Sequence, residues 1–264
     1  MILAAIPFGL GIGLSLGMLG GGGSVLAVPI LVYILGQSVH QATTASLVIV
    51  TAGAVVGGLS HAREGRVCWR HATVFTAAAL PGVVAGTALG QTVSGNALIA
   101  AFAVIMLVAA TATWRKATRD AGSSASEVRG SSCPPLRLTR DLVAGLLIGA
   151  MTGFFGVGGG FLIVPTLTIV LALSMRLAVG TSLVIITATS LMALLAHLAA
   201  GRTLDVGVTL SMTGACIAGA LAGVGLAGRV AQRTLGKGFA ALVVVIAAYL
   251  LISAALLGGP PGTS

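Results

Sequence analysis

The stretch G-M-L-G-G-G-G-S-V-L-A-V-P at residues 17–29 occurs a second time, in altered form, as G-F-F-G-V-G-G-G-F-L-I-V-P at residues 153–165. Each copy has a cluster of glycines, then a short apolar run that ends in a proline. Glycine costs about 1 kcal/mol relative to alanine inside a helix, so each cluster predicts an interruption between two helices. These paired interruptions are the starting point for our prediction of the fold.

The two stretches belong to a longer internal repeat. A displacement of about 136 positions aligns the first half of the chain with the second, without gaps, from Gly9 to Arg66. The alignment places Ser46 on Ser182 and His61 on His197, and after one inserted residue it places glycines 82 and 86 on glycines 219 and 223. Glycines, prolines and histidines held in register predict two homologous halves.

The composition indicates that lipid, not water, surrounds most of the chain. Of 264 residues, 57% are hydrophobic and only 7% are charged, whereas a soluble domain carries about 25% charged residues. The 39 glycines fit a membrane bundle, because small residues let helix backbones approach closely. We therefore expect an all-α, polytopic membrane helix bundle.

Apolar runs define the segments of this bundle, since a crossing needs about 20 residues. The runs are Ile2–Leu19, Gln41–His61, Ala72–Gln91, Asn96–Trp114, Leu142–Phe155, Leu177–Ala200, Gly207–Ala227 and Gly236–Leu257. Val25–Leu35 and Phe161–Leu173 are shorter, follow the glycine clusters and predict broken or re-entrant helices. The expected organisation is a first repeat at 1–114, a polar linker at 115–140, a second repeat at 141–257 and a flexible tail at 258–264.

The distribution of basic residues predicts how the halves are oriented. The net charge is +9, but without interleaved aromatic residues it favours membrane insertion over nucleic-acid binding. The basic loop lies at 63–70 in the first half and at 229–237 in the second, which is not the equivalent loop. Because basic loops stay cytoplasmic, we expect inverted repeats with the linker cytoplasmic and both termini periplasmic. Parallel repeats remain the alternative if each glycine-linked pair forms one broken crossing.

The interruptions also predict a binding site. A helix that starts after a glycine cluster has unpaired backbone N–H groups and a positive dipole end, which together bind anions. Neighbouring hydroxyl groups can donate further hydrogen bonds. The candidate binding residues are Gly20, Gly21, Gly22, Gly23, Ser24, Thr44, Ser46, Gly156, Gly158, Gly159, Gly160, Thr181 and Ser182, and the helix-breaking residues are Pro29 and Pro165. The alternatives are glycine packing between helices and hydroxyls bonded to their own backbone.

Other chemistry finds little support in the sequence. No acidic residue lies deep in an apolar run, which favours an anion over a cation. We expect no enzyme activity, no metal and no cofactor, since no nucleophile–base pair or metal cluster is evident. We expect Cys68, Cys133 and Cys216 to be packing residues, not a disulfide or zinc site. We expect His61 and His197 to be structural residues at the membrane interface.

At these motifs the chain resembles the sulfite exporter TauE/SafE family of membrane permeases. The glycine–proline stretches carry the resemblance, together with T-A-S-L at 44–47 and G-T-S-L at 180–183. The resemblance implies a multi-pass permease of the cell inner membrane for sulfite, a sulfonate or another small organosulfur anion. Small carboxylates, a membrane enzyme and a non-transporting assembly factor remain alternatives. The expected partners are a small anionic solute and the lipid bilayer, no nucleic acid, and a homodimer is left open.

Overall fold

The computed structural model of the chain describes residues 2–90, 133–155, 160–199 and 204–227, and scattered single positions between 105 and 118 and between 229 and 248. In these parts the regular structure is helical. The helices are α1 Ile2–Leu19, α2 Gly22–Pro29, α3 Val39–Arg63, α4 Trp69–Gly90, α5 Leu138–Phe155, α6 Gly160–Pro165, α7 Met175–Ala199 and α8 Val206–Ala227.

Each described apolar run lies on one of these helices, which confirms the all-α prediction. By length and composition, three described segments can cross a membrane: Gln41–Arg63, Met175–Leu195 and Val206–Ala227. Helix α1 has the expected bounds, whereas α3 and α4 extend past their apolar runs into polar residues. The runs at 96–114 and 236–257 and the linker lie largely outside the described residues.

The two short helices do not end at their prolines. Beyond Pro29 the backbone continues as a π-helical segment, Ile30–Ile34, and beyond Pro165 it continues as Thr166–Val170. Proline has no N–H to donate to the fourth carbonyl before it, but the Ile30 N–H still reaches the Leu26 carbonyl and the π-type bond follows from Leu35 N–H to the Ile30 carbonyl, at 3.1 Å. The expected helix breaks at the prolines are therefore changes of helix type.

The halves pack against each other reciprocally. Helix α1 lies along α8, α5 lies along α4, and α3 packs against α7. The first helix of each half thus contacts the last described helix of the other half. Buried aliphatic side chains fill the centre, among them Leu16, Ile49, Leu167 and Leu183.

Two seams of glycine hold the α1–α8 and α4–α5 pairs together. A Cβ atom on Gly13 would overlap the carbonyl of Cys216, and one on Gly149 would overlap that of Ala79. The seam glycines recur every four residues on each helix: Gly9, Gly13 and Gly17 on α1, Gly219 and Gly223 on α8, Gly82 and Gly86 on α4, and Gly145 and Gly149 on α5. For these glycines the packing interpretation holds, because backbone contacts replace side-chain contacts.

A disulfide joins Cys68, between α3 and α4, to Cys133, in the last part of the linker. The prediction that neither residue forms a disulfide is therefore wrong. Their separation of 65 residues shows no local spacing motif, so only the fold brings them together. Cys216 is a buried free thiol, as expected.

Candidate functional site

The first glycine cluster interrupts the chain where the sequence predicts it. Helix α1 ends at Leu19, Gly20 has a φ of +73° and α2 begins at Gly22. A positive φ favours glycine because a Cβ atom would be strained there. Gly21, which precedes α2, provides no side-chain cap, so the first N–H groups of α2 have no side-chain acceptor.

The interruption in the first half meets the second half directly. A Cβ atom on Gly20 would lie 2.5 Å from Ser182 Oγ on α7 and 3.0 Å from Val164 Cγ2 on α6. Two candidate residues that are 162 positions apart in sequence are therefore neighbours. Gly20 permits this contact through both its backbone angle and its missing side chain.

The start of α6, in the second half, contacts the interruption of the first half. A Cβ atom on Gly160 would lie 2.7 Å from Ser24 Oγ and 3.2 Å from Gly21 Cα, and its third neighbour is Ile186 Cδ1 at 2.9 Å. Ser24 and Gly160 occupy equivalent positions in the repeat alignment. The structure thus brings together Gly20, Gly21, Ser24, Gly160 and Ser182.

The serine hydroxyls of the candidate set are bonded to their own helices. Ser24 Oγ donates to the Gly21 carbonyl at 2.7 Å, Ser46 Oγ to Thr43 at 2.8 Å, and Ser182 Oγ to Val179 at 2.8 Å. Each hydroxyl hydrogen points at a backbone carbonyl three residues earlier. A hydroxyl must therefore rotate before it can donate to a bound anion, while its oxygen stays free to accept.

Thr181 has a structural contact. Its Oγ1 accepts a hydrogen bond from the Cys68 N–H at 3.0 Å and so fastens the α3–α4 loop to α7. Thr44 is fully buried on α3. Gly22 and Gly23 lie in the first turn of α2, and Gly23 packs against the Ile12 carbonyl of α1. The candidates Gly156, Gly158 and Gly159 lie outside the described residues.

His61 lies in the last turn of α3 and is buried within the bundle, against the first interruption. Its side chain is 1% exposed, and its Nε2 lies 3.0 Å from the Gly17 carbonyl oxygen. Gly17 is in the last turn of α1, where carbonyls lack intrahelical partners. His61 thus caps the end of α1. The side chain of His197, its repeat equivalent, lies outside the described residues.

The sequence did not reveal a buried ionisable pair between α4 and α5. His71 and Asp141 are 2% and 0% exposed and bond each other. Asp141 is recognisable in the sequence as an acid near a helix start, but nothing local indicates His71, which lies 70 positions away. The pair lies at the far end of α5 from the second glycine cluster, so it is not part of the candidate binding site.

Comparisons with known proteins were made on the whole sequence. The profile of a family described as "Sulfite exporter TauE/SafE" matches residues 5–250. Two proteins named "Probable membrane transporter protein", from Xylella fastidiosa strains 9a5c and Temecula1, are each 32% identical over 249 residues, which cover 91% of this chain and 91% of the relative. A Bacillus subtilis relative, "Probable membrane transporter protein YdhB", is 25% identical over 190 residues, 69% of this chain and 72% of its own. No solved structure matches.

Proposed function

The chain belongs to the sulfite exporter TauE/SafE family, and from that premise we propose that it carries a small anion, such as sulfite or a sulfonate, by alternating access. The family establishes a multi-pass membrane transporter and not an enzyme. The proposal adds the class of substrate, the site and the mechanism.

The meeting of the two glycine-bounded helix starts is the observation on which the proposed site rests. Gly20 lies against Ser182, and Gly160 lies against Ser24. The uncapped N–H groups at the start of α2 offer hydrogen bonds and a positive dipole end. Rotated hydroxyls of Ser24 and Ser182 add neutral donors, so an anion is held without a formally charged residue.

The contact between Gly20 and Ser182 also supports a state in which the site is closed to solute. Because Gly20 leaves no room even for a Cβ atom beside Ser182, a solute enters only when the α1–α2 turn and α7 move apart. In our proposal each half rocks away from the other in turn, so that the site opens to one side of the membrane and then to the other.

Reciprocal packing supports a two-fold relation between the halves, and the placement of the basic loops favours its inverted form. Residues related by a two-fold axis touch each other only near that axis, and the equivalent residues Ser24 and Gly160 are in contact. The matching of α1 with α8 and of α5 with α4 is the exchange that such an axis generates. With the basic loops inside, the linker is cytoplasmic and both termini are periplasmic.

Flux through reconstituted protein tests this function. Proteoliposomes that contain the full chain should accumulate [35S]sulfite above empty liposomes, and Gly22→Leu or Ser182→Ala should reduce the rate at least about tenfold, the loss of about one hydrogen bond to a charged ligand. Ser211→Ala is the matched control, because Ser211 makes the same bond to a carbonyl three residues earlier, at 2.9 Å, in α8.

A thermal-shift screen of the purified protein identifies the substrate. Sulfite, thiosulfate, sulfoacetate and taurine should raise the melting temperature if the organosulfur assignment is correct. Stabilisation by small carboxylates alone would show that the substrates are carboxylates and not organosulfur anions. No flux and no stabilisation with any of these solutes would favour a non-transporting assembly factor, and full transport by Gly22→Leu would contradict the site.

A further inference from the structure

His61 is the buried ionisable side chain next to the proposed site, and the mechanism described so far does not use it. It lies in the last turns of α3 and is 1% exposed. Ionisable side chains inside membrane bundles are costly and commonly mark ion or proton pathways. The hydrogen bonds of this histidine show what it can do.

One ring nitrogen of His61 has a fixed role. Nε2 lies 3.0 Å from the Gly17 carbonyl oxygen, and a carbonyl can only accept, so Nε2 carries the hydrogen. In the neutral ring, Nδ1 then has a lone pair. Nδ1 is buried and has no hydrogen-bond partner within the part of the chain that the structure describes. A proton can therefore be added at Nδ1 without breaking the bond to Gly17.

His61 lies one helical turn from the contact between the halves. Gly17, in the last turn of α1, precedes the turn residue Gly20 by three positions, and a Cβ atom on Gly180 would lie 3.1 Å from the His61 Cβ. Gly180 precedes Ser182 by two residues on α7. The histidine thus touches both of the elements that meet at the proposed anion site.

The charged groups around His61 leave a proton there without a negative partner. Glu64 and Arg66, from the loop after α3, pair with each other at 2.5 Å. Arg176 lies one turn before Gly180 on α7, and α1 has no ionisable side chain between Ile2 and Leu19. With Arg63, which shares the last turn of α3 with His61, these residues carry one negative and three positive charges, so a protonated His61 adds to a positive surrounding.

We infer that His61 takes up the proton that accompanies the anion, so that the protein couples anion transport to proton transport. This inference rests on the proposed function. A bound anion supplies the missing negative charge, and a protonated histidine supplies the full positive charge that helix dipoles lack. By linkage, each then strengthens the binding of the other to the same extent.

Calorimetry with an anion that does not titrate tests the coupling. Isethionate is suitable because its sulfonate keeps a single charge between about pH 5 and 8, where histidine titrates, whereas sulfite itself exchanges a proton within that range. Titrating the detergent-purified full chain in two buffers of different ionisation enthalpy gives the number of protons taken up per anion. The wild type should take up close to one proton at the upper end of this range, and its affinity should rise up to about tenfold per pH unit as the pH falls.

His61→Gln is the diagnostic variant, because its amide nitrogen can still donate to the Gly17 carbonyl but cannot take up a proton. It should keep the melting temperature of the wild type within a few degrees, bind isethionate without proton uptake and lose the pH dependence. Ser211→Ala should behave like the wild type.

If the wild type binds isethionate without taking up protons, or if His61→Gln takes up as many protons as the wild type, the coupling is wrong and the transport proposal stands. If the wild type binds neither isethionate nor sulfite, both proposals are overturned. The wild-type measurement decides even if the variant does not fold.

Discussion

His71 Nδ1 lies 2.5 Å from Asp141 Oδ1 across the interface of α4 and α5. The other ring nitrogen, Nε2, lies 3.2 Å from the Pro134 carbonyl oxygen, which accepts only, so Nε2 carries a hydrogen. The pair therefore shares one proton in its bonded form, either as imidazolium with carboxylate or as imidazole with carboxylic acid. In both forms His71 joins α4 to α5 and to the end of the linker.

Replacing Asp141 should show how much the bond to His71 contributes to stability. Asp141→Ala leaves His71 Nδ1 buried without a partner and should lower the free energy of unfolding by about 3–5 kcal/mol. Asp141→Asn can still donate a hydrogen bond from its amide to Nδ1, so its free energy of unfolding should fall clearly less. Thermal unfolding of both variants in the same detergent is the measurement. Equal melting temperatures for alanine, asparagine and wild type would show that the pair does not hold the interface.

The thermal stability of the protein should depend on redox conditions, because a disulfide joins the end of the linker to the α3–α4 loop. The disulfide between Cys68 and Cys133 closes a loop of a size that contributes about 2–4 kcal/mol in soluble proteins. Oxidised protein should therefore unfold at a higher temperature than protein treated with dithiothreitol, and Cys133→Ser should abolish the difference. Cys216→Ser is the control, because that thiol is free. A reductant effect that persists in Cys133→Ser would contradict the assignment.

The membrane side of this disulfide is a separate question. If the linker is cytoplasmic, as we propose from its basic residues, it lies where thiols are kept reduced, and we expect a dithiol in growing cells. A membrane-impermeant maleimide should then fail to label Cys133 in intact cells and should label it after lysis without reductant. Labelling of intact cells only after reduction would place the linker in the periplasm and reverse the expected orientation.

Gly20 should be sensitive to any side chain, beyond the cost of its backbone angle. Gly20→Ala combines a positive φ with a Cβ atom 2.5 Å from Ser182 Oγ, and we expect insertion into the membrane with loss of sulfite flux. Gly36→Ala is the matched control, because Gly36 also has a positive φ, of +67°, but has open space around it. It should cost about 1–2 kcal/mol of strain and keep its flux. Equal flux in the two variants would contradict a site at Gly20.

The glycine seams predict that alanine destabilises the protein at a seam glycine but not at a glycine with open space around it. Gly86→Ala places a Cβ atom against the Ala150 carbonyl and should destabilise the α4–α5 pair by about 1–3 kcal/mol. Gly214→Ala, on α8, meets nothing within 4 Å and should be neutral or stabilise by about 0.5–1 kcal/mol. Melting temperatures in one detergent give the comparison. A more stable Gly86→Ala would show that the seam is looser than described.

The sequence was less informative about the role of individual residues than about their positions in helices. It placed Gly17 and Gly20 in one repeated glycine stretch, but Gly17 packs against α8 while Gly20 turns the chain. Both uses demand the same residue, so composition cannot separate them. Similarly, the sequence shows that His61 lies near the end of an apolar run, but only the fold shows that α1 and α7 cover it.

What the sequence determined by itself is local. Hydropathy located the described helices, though not all of their ends, and the glycine cluster located the interruption after Leu19, because both act on the residues that carry them. Only the tertiary structure decided which residues meet. Gly20 with Ser182, His71 with Asp141 and Cys68 with Cys133 are joined across tens to more than a hundred residues. Such contacts depend on how helices cross and how closely glycine lets them approach, and no spacing along the chain records that geometry.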